Sequence, residues 1–225
     1  AIQSYQDGLT VVPGAAELKV DQGDLYVEEY QIAIEELAKA EYYYEEVLER
    51  YERTLLMPNR DWAIEVKKDA QENLLAAQSY LAFAQAAYEK AQPLPETAKA
   101  EFQQALVMQP NSITALIGLG KVAEINEQWN DAVQFYQQGL SISPYSTDLW
   151  NALGQYYLAR GRAEEAREAF WNAINISPNN LQASAGIISA AQSLSSWGLT
   201  QALDNAAYSQ HSWNGVIESI RNSDN

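Results

Sequence analysis

Few residues in this chain have types and spacings that could do chemistry. Gly118-Leu-Gly120-Lys121 ends like a phosphate loop, in which glycines let backbone N–H groups cradle phosphate oxygens. That motif needs another Gly five residues before the Gly of its Gly-Lys and a hydroxyl after the Lys, and Ala115 and Val122 stand at those places. The doublets Glu28-Glu29, Glu35-Glu36 and Glu45-Glu46 could supply carboxylates to a di-iron bundle. Such a site also needs Glu-x-x-His pairs on facing helices, and the one histidine, His211, follows Tyr208 at that spacing. Asp21-Gln-Gly-Asp24 lacks the remaining ligands of a calcium loop and reads better as a helix start. Asn175-Ile-Ser177 has the glycosylation triplet, but it sits in a helical pattern just before Pro178. Each catalytic, cofactor and metal reading thus gives way to a plainer structural one, and what remains is surface.

Composition points the same way. The 225 residues include 30 acidic and 14 basic side chains, for a net charge of −16, with no cysteine. Without cysteine there is no disulfide framework, thiol nucleophile or zinc knuckle, and triad chemistry would rest on one imidazole. So acidic a chain repels phosphate backbones and anionic lipid, which excludes nucleic acid and a charged membrane surface from the expected partners. No run of about 18 apolar residues occurs, so no segment is expected to insert in a bilayer. Ala1-Ile2-Gln3-Ser4-Tyr5 has neither the basic start nor the apolar stretch of a signal peptide, and with no initiating Met the chain reads as a piece of a longer parent.

The elements that position this surface repeat. Ala98, Phe102, Ala105 and Pro110 recur as Ala132, Tyr136, Gly139 and Pro144, and again as Ala166, Phe170, Ala173 and Pro178, 34 residues apart each time. Ahead of the third copy stands Trp150-Asn-Ala-Leu153-Gly154-Gln-Tyr-Tyr157, whose counterpart is Leu116-Ile-Gly-Leu119-Gly120. W-x₂-L-G-x₂-Y, then A-x₃-F-x₂-A and a closing proline resembles the tetratricopeptide repeat family, and residues 147–180 match at every one of those positions. Leu153 and Tyr157 share a helix face, while the small residues 154, 166 and 173 let two helix backbones approach around Phe170. Gly161 suits a left-handed cap, Pro178 ends its helix, and Asn179-Asn180 can cap the next one.

Four segments follow. Residues 1–18 read as the second helix of a truncated repeat with its exit turn, since Ala1 to Pro13 align with 132–144. Residues 19–92 read as a long acidic helical hairpin merging into the next repeat. No Gly or Pro interrupts Asp24–Leu56, and Tyr30, Ile34, Leu37, Tyr44, Leu48, Tyr51 and Leu55 form a stripe. The facing stripe is Trp62, Val66, Ala70, Ala77, Leu81, Ala84 and Tyr88. Residues 78–180 read as about three repeats, with Gln85 of the first copy where Gly is usual, so that this helix pair is expected to splay. Residues 181–225 read as a terminal repeat helix and capping helices around Trp197, Tyr208 and Trp213. The expected fold is all-α: an α-α superhelix preceded by a long antiparallel helical hairpin.

The resemblance implies a non-catalytic scaffold or adaptor, with the first helices lining a groove for a protein or peptide segment. The implied groove residues are Lys121 and Glu124; Asp148, Asn151, Gln155 and Leu158; and Gln182, Ser189 and Gln192, with Thr114, Ile117 and Ala185 beside them. A Lys/Asn/Arg clamp for a terminal carboxylate is not expected, because Ile117, Ala152 and Gly186 occupy three of its places. No cofactor is implied. The acidic excess lies in residues 1–97, at net −11 against −5 for the rest, and nine glutamates fall between Glu28 and Glu52. These make the hairpin, at Glu28, Glu29, Glu35, Glu36, Glu45 and Glu46, a second docking face for a basic partner. Two alternatives stand beside this reading: a regulatory or assembly region of a multidomain or membrane-tethered parent whose activity lies elsewhere, and a helical enzyme with a carboxylate-bound metal.

Overall fold

The structure, a computed structural model, describes residues 16–195. Over them the chain is helical, with no strand among the described residues. In order come α1 (Ala16–Leu55), α2 (Asp61–Ala91), α3 (Leu94–Met108), α4 (Ile113–Ile125), α5 (Trp129–Ile142), α6 (Thr147–Ala159), α7 (Ala163–Ile176) and α8 (Leu181–Ser195). They form two compact units that divide between Gln104 and Ala105. The all-α fold of a long hairpin followed in sequence by repeat helix pairs is the one the chain adopts. The half-repeat expected over 1–13 and the cap around Trp197, Tyr208, His211 and Trp213 lie outside the described residues. Residues 16–18, expected in an exit turn, form the first turn of α1.

In the first unit α1 and α2 run antiparallel, as side-chain pairs Tyr30–Tyr88, Tyr43–Tyr80 and Glu36–Tyr80 require. Their seam is a row of small residues at seven-residue intervals. On α1 it is Ala33, Ala40, Val47 and Thr54, and on α2 Ala63, Ala77, Ala84 and Ala91, all buried, with Ala70 half-buried between. Seven residues is two slightly underwound helical turns, so these side chains stay on the facing line, and their small size brings the backbones together.

This corrects the expected stripes in part. Tyr30, Leu37, Tyr44, Leu48 and Tyr51 are half-buried as the stripe requires, but Ile34 and Leu55 are exposed. On α2, Ala77 and Ala84 are buried and Leu81 and Tyr88 half-buried, whereas Trp62 and Val66 are exposed. Where alanines set the closest approach, the bulky neighbours have no room between the helices and turn to the flanks. The connecting turn is latched by Lys67, whose Nζ donates to the Met57 carbonyl at 3.0 Å and to Asn59 Oδ1 at 3.2 Å.

The start of α1 packs on α3. A Cβ on Gly23 would lie 2.6 Å from a carbon of the fully buried Phe102 ring, and Lys19 pairs with Glu101 at 2.6 Å with both side chains largely covered. The glycine beneath Phe102 thus comes from α1, while Gln85, expected at that place, is exposed.

In the second unit α4 pairs with α5, α6 with α7, and α8 covers α7, while the first helices α4, α6 and α8 contact one another in sequence. An aromatic ring on each second helix rests on a glycine of its own first helix: Tyr136 on Gly120, and Phe170 on Gly154, where a Cβ would stand 2.6 Å from the ring. Phe170 also touches Gly186 of α8, so one side chain seals three helices. The caps repeat with the same 34-residue period. Ser112 and Ser146 accept the Ala115 and Leu149 N–H groups at 3.3 Å, and Asn180 accepts that of Ala183 at 3.0 Å. Gly161, at φ +69°, closes α6 with Arg162 N–H on the Tyr157 carbonyl and its own N–H on that of Leu158. The same left-handed cap closes α4 on Glu127, at φ 56°.

Candidate functional site

The repeat period sorts the expected groove residues. Thr114, Asp148 and Gln182 stand 34 residues apart at the starts of α4, α6 and α8, and all three are exposed. Lys121, Gln155 and Ser189, seven residues further along each helix, form a second exposed rung. Contact between successive first helices sets these rungs side by side, so polar side chains recur across one face. The chemistry of those rungs is mixed and nearly neutral, with one ammonium, one carboxylate, amides and hydroxyls. Amides offer a donor and an acceptor together, which is what a polypeptide backbone presents in return.

Between and beyond the rungs the side chains of α4 and α6 turn inward. Asn151, expected to contact a ligand, is 3% exposed. Its Nδ2 donates to Gln182 Oε1 at 3.1 Å and to Asn180 Oδ1 at 3.4 Å, while Asn180 caps α8 with the same oxygen. The amide thus fastens α6 to the start of α8, and Gln182 divides its role between that bridge and the surface. Ile117, one period earlier, packs against the core of α5 and α6, whereas Ala185, one period later, is exposed. Leu158 is half-buried against the Phe170 cluster, and Gln192, one period on, is exposed.

Glu124 is the charged member of this inner set. The Tyr136 hydroxyl, brought across from α5, donates to its carboxylate. Burial holds the Glu124 carboxyl above its ordinary range, although that hydrogen bond and the nearby Lys121 ammonium pull it down. The Tyr136 phenol is pushed upward by burial and by the facing carboxylate, and stays protonated. Glu124 is therefore a half-buried partner of a core tyrosine.

The sequence reading missed two features at the turn between α6 and α7. Arg160 lies over the Trp129 ring at 4.4 Å and Arg162 over the Tyr157 ring at 4.8 Å. Tyr156 also donates from its hydroxyl to the Trp129 carbonyl at 3.1 Å, tying α6 to the start of α5. The Arg-Gly-Arg order of the turn held the signal, since it sets two guanidinium groups within reach of aromatic rings on the helices beside it.

In the first unit the six expected acidic positions divide. Glu28, Glu29, Glu35 and Glu45 are exposed, and Glu36 and Glu46 half-buried. Glu36 pairs with Lys39 at 2.8 Å and accepts the Tyr80 hydroxyl at 3.0 Å, which holds its carboxyl below the ordinary range. Glu46 pairs with Arg50. Glu28 and Glu35 share one line of α1, and Glu29 and Glu36 the next, while Glu45 and Glu46 stand elsewhere on its outer half. No group of three or more His, Asp or Glu side chains is placed to hold a metal among the described residues.

Residues 125–187 match the family described as Tetratricopeptide repeat. This stretch carries tetratricopeptide repeats. Over 84 residues it is 31% identical to a general transcriptional corepressor of Dictyostelium discoideum, covering 37% of this chain and 6% of that protein. Over 67 residues it is 33% identical to the peroxisomal targeting signal receptor of Candida albicans, covering 30% of this chain and 11% of the receptor. The matched stretch thus spans about a tenth or less of these relatives. Among solved structures it is similar to a thermophilic tetratricopeptide repeat protein of Thermus thermophilus, with 17% identity, a TM-score of 0.44, and 84% and 88% of the two chains covered. It is also similar to a tetratricopeptide repeat protein of Parabacteroides merdae, with 15% identity, a TM-score of 0.44, and 86% and 68% covered. Such repeats are generally protein-interaction modules and typically non-catalytic scaffolds.

Proposed function

We propose that the second unit is a non-catalytic adaptor that binds a segment of another protein along the exposed rungs of α4, α6 and α8. The observation that carries this reading is the recurrence of Thr114/Asp148/Gln182 and Lys121/Gln155/Ser189 at one period, exposed in every copy. A periodic face of amides, hydroxyls and small charges matches the periodic donors and acceptors of an extended chain. One relative, by its name, is a receptor for a targeting signal, which accords with a segment-binding role. The acidic hairpin of the first unit is the second docking face, for a basic partner.

The buried state of Asn151 decides how to test this. An Asn151→Ala and Gln155→Ala pair would mix loss of packing with loss of contact. The test is Lys121→Glu with Gln155→Arg, both exposed, in quantitative affinity capture with mass spectrometry. Proteins bound by the parent chain should fall at least fivefold on the variant, with the melting temperature unchanged. Equal capture by a folded variant would remove binding from this face.

A further inference from the structure

The hairpin does more than carry charge. Because alanines floor its seam, the two helix ridges leave a trough between them, an open groove of about 330 Å³. Its floor is Ala33, Ala84 and Ala87, and Ile32 and Phe83 rise from it, 53% and 74% exposed. Tyr80, Ala91 and Leu94 complete the lining. The rims are unlike. Glu29 and Glu36 stand one heptad apart on the α1 side, and Lys90 stands on the α2 side. Glu36 is already held by Lys39 and the Tyr80 hydroxyl, whereas Glu29 makes no ion pair among the described residues, and α1 as a whole carries twelve acidic against four basic side chains.

We propose that this groove seats an amphipathic helix of a partner protein, apolar on its inner face and basic along one flank, as the third helix beside α1 and α2. The proposal deepens the reading of the hairpin as a second docking face and is independent of the repeat rungs. Two observations select this occupant. The groove lies along a seam with a seven-residue spacing and is lined by small side chains, which suits another helix whose apolar residues recur every three to four positions. Its α1 rim offers the Glu29 carboxylate, on a helix with twelve acidic against four basic side chains, so a Lys or Arg on that flank of the incoming helix is favoured, while Lys90 across the groove disfavours a second basic flank and so fixes which way the helix is turned. Phe83 is the anchor: a large, exposed aromatic ring beside an apolar trough gains most from being covered.

The probe is a fluorescein-labelled 21-residue peptide of three heptads, with Leu at both core positions and Lys along one flank, titrated into the full chain by fluorescence anisotropy. A peptide with Glu in place of Lys is the control. The Lys peptide should bind saturably, more slowly as salt rises, and the Glu peptide at least tenfold more weakly. Phe83→Ser should weaken the Lys peptide about tenfold, and Glu29→Lys several-fold, with the melting temperature unchanged because both side chains are exposed. The Lys121→Glu and Gln155→Arg variant should bind it like the parent, which separates this groove from the repeat face. Failure of the Lys peptide to bind, equal binding of the two peptides, or indifference to Phe83→Ser overturns the proposal. So does sedimentation of the chain alone as a dimer that Phe83→Ser dissociates, which would put a second copy in the groove.

Discussion

The two units bring their helices together by the same device, small residues at a fixed interval, and reach opposite results. In the hairpin the interval is seven and alanine meets alanine, so no bulky side chain is fully buried between α1 and α2, and Ile32, Ile34, Trp62 and Phe83 are exposed. In the repeats the interval is 34 and glycine meets an aromatic ring, so Tyr136 and Phe170 vanish into the interior. The repeat unit spends its large apolar residues on cohesion and presents a polar face. The hairpin holds together with little and displays its large apolar residues on an acidic rod. What each region buries determines what it can offer a partner.

The comparison can be broken most severely at Phe170. Phe170→Ala empties the junction of α6, α7 and α8 and should cost about 3–5 kcal/mol in urea denaturation. A loss below about 1 kcal/mol would show that the junction repacks and that the aromatic-on-glycine rule carries little. The matching test of the hairpin goes the other way, by adding volume. Ala40→Leu, at a fully buried seam position, should cost about 1–3 kcal/mol through overpacking, whereas Ile34→Ala beside it should cost well under 1 kcal/mol. Comparable effects of the two would restore Ile34 to the seam. A smaller effect is expected at the α4 turn, where Glu127 adopts the left-handed backbone that Gly161 provides one period later. Glu127→Gly should raise stability by about 0.5–1 kcal/mol, seen as a higher urea midpoint.

The smallest effect is one of pH. Because burial raises the folded-state carboxyl of Glu124, the folded chain holds that proton more tightly than the unfolded one. This site should therefore gain stability as pH falls from 7 through the raised folded value toward the ordinary carboxylate range, where the gain levels off. Glu124→Gln keeps an acceptor for Tyr136 and removes the buried charge, so its stability relative to the parent should be greatest near pH 7 and shrink toward pH 4. A pH-independent difference between the two would contradict the burial of this carboxylate.

Much of the fold was legible because the repeat writes each structural task at the same offset. Pro110, Pro144 and Pro178 mark helix ends, Asn180 caps α8 as expected, and Gly120 and Gly154 lie beneath their rings. What escaped the sequence has physical reasons. The α2 stripe includes the seam residues Ala70, Ala77 and Ala84, but the α1 stripe runs through large residues and passes over Ala33, Ala40 and Val47, because closest approach is set by the smallest side chain present. Gly23 could not be matched to Phe102 from a distance of 79 positions, since nothing local marks a long-range contact. Glu127 hid its turn because the residue type argues against a left-handed backbone and only its register with Gly161 discloses it. Asn151 sat at the right place on the first helix, but whether an amide faces outward or bridges to Gln182 depends on the neighbouring helix.

The central claim, that the exposed rungs of the first helices are where a partner lies, is tested most directly by site-specific photo-crosslinking. A photoreactive side chain is placed at Gln155 on α6 or, separately, at Gln138 on α5, both exposed, in chains incubated with the same captured proteins. The account expects a crosslinked partner from position 155 and none from position 138. Crosslinking from 138 alone, or equally from both, would contradict it.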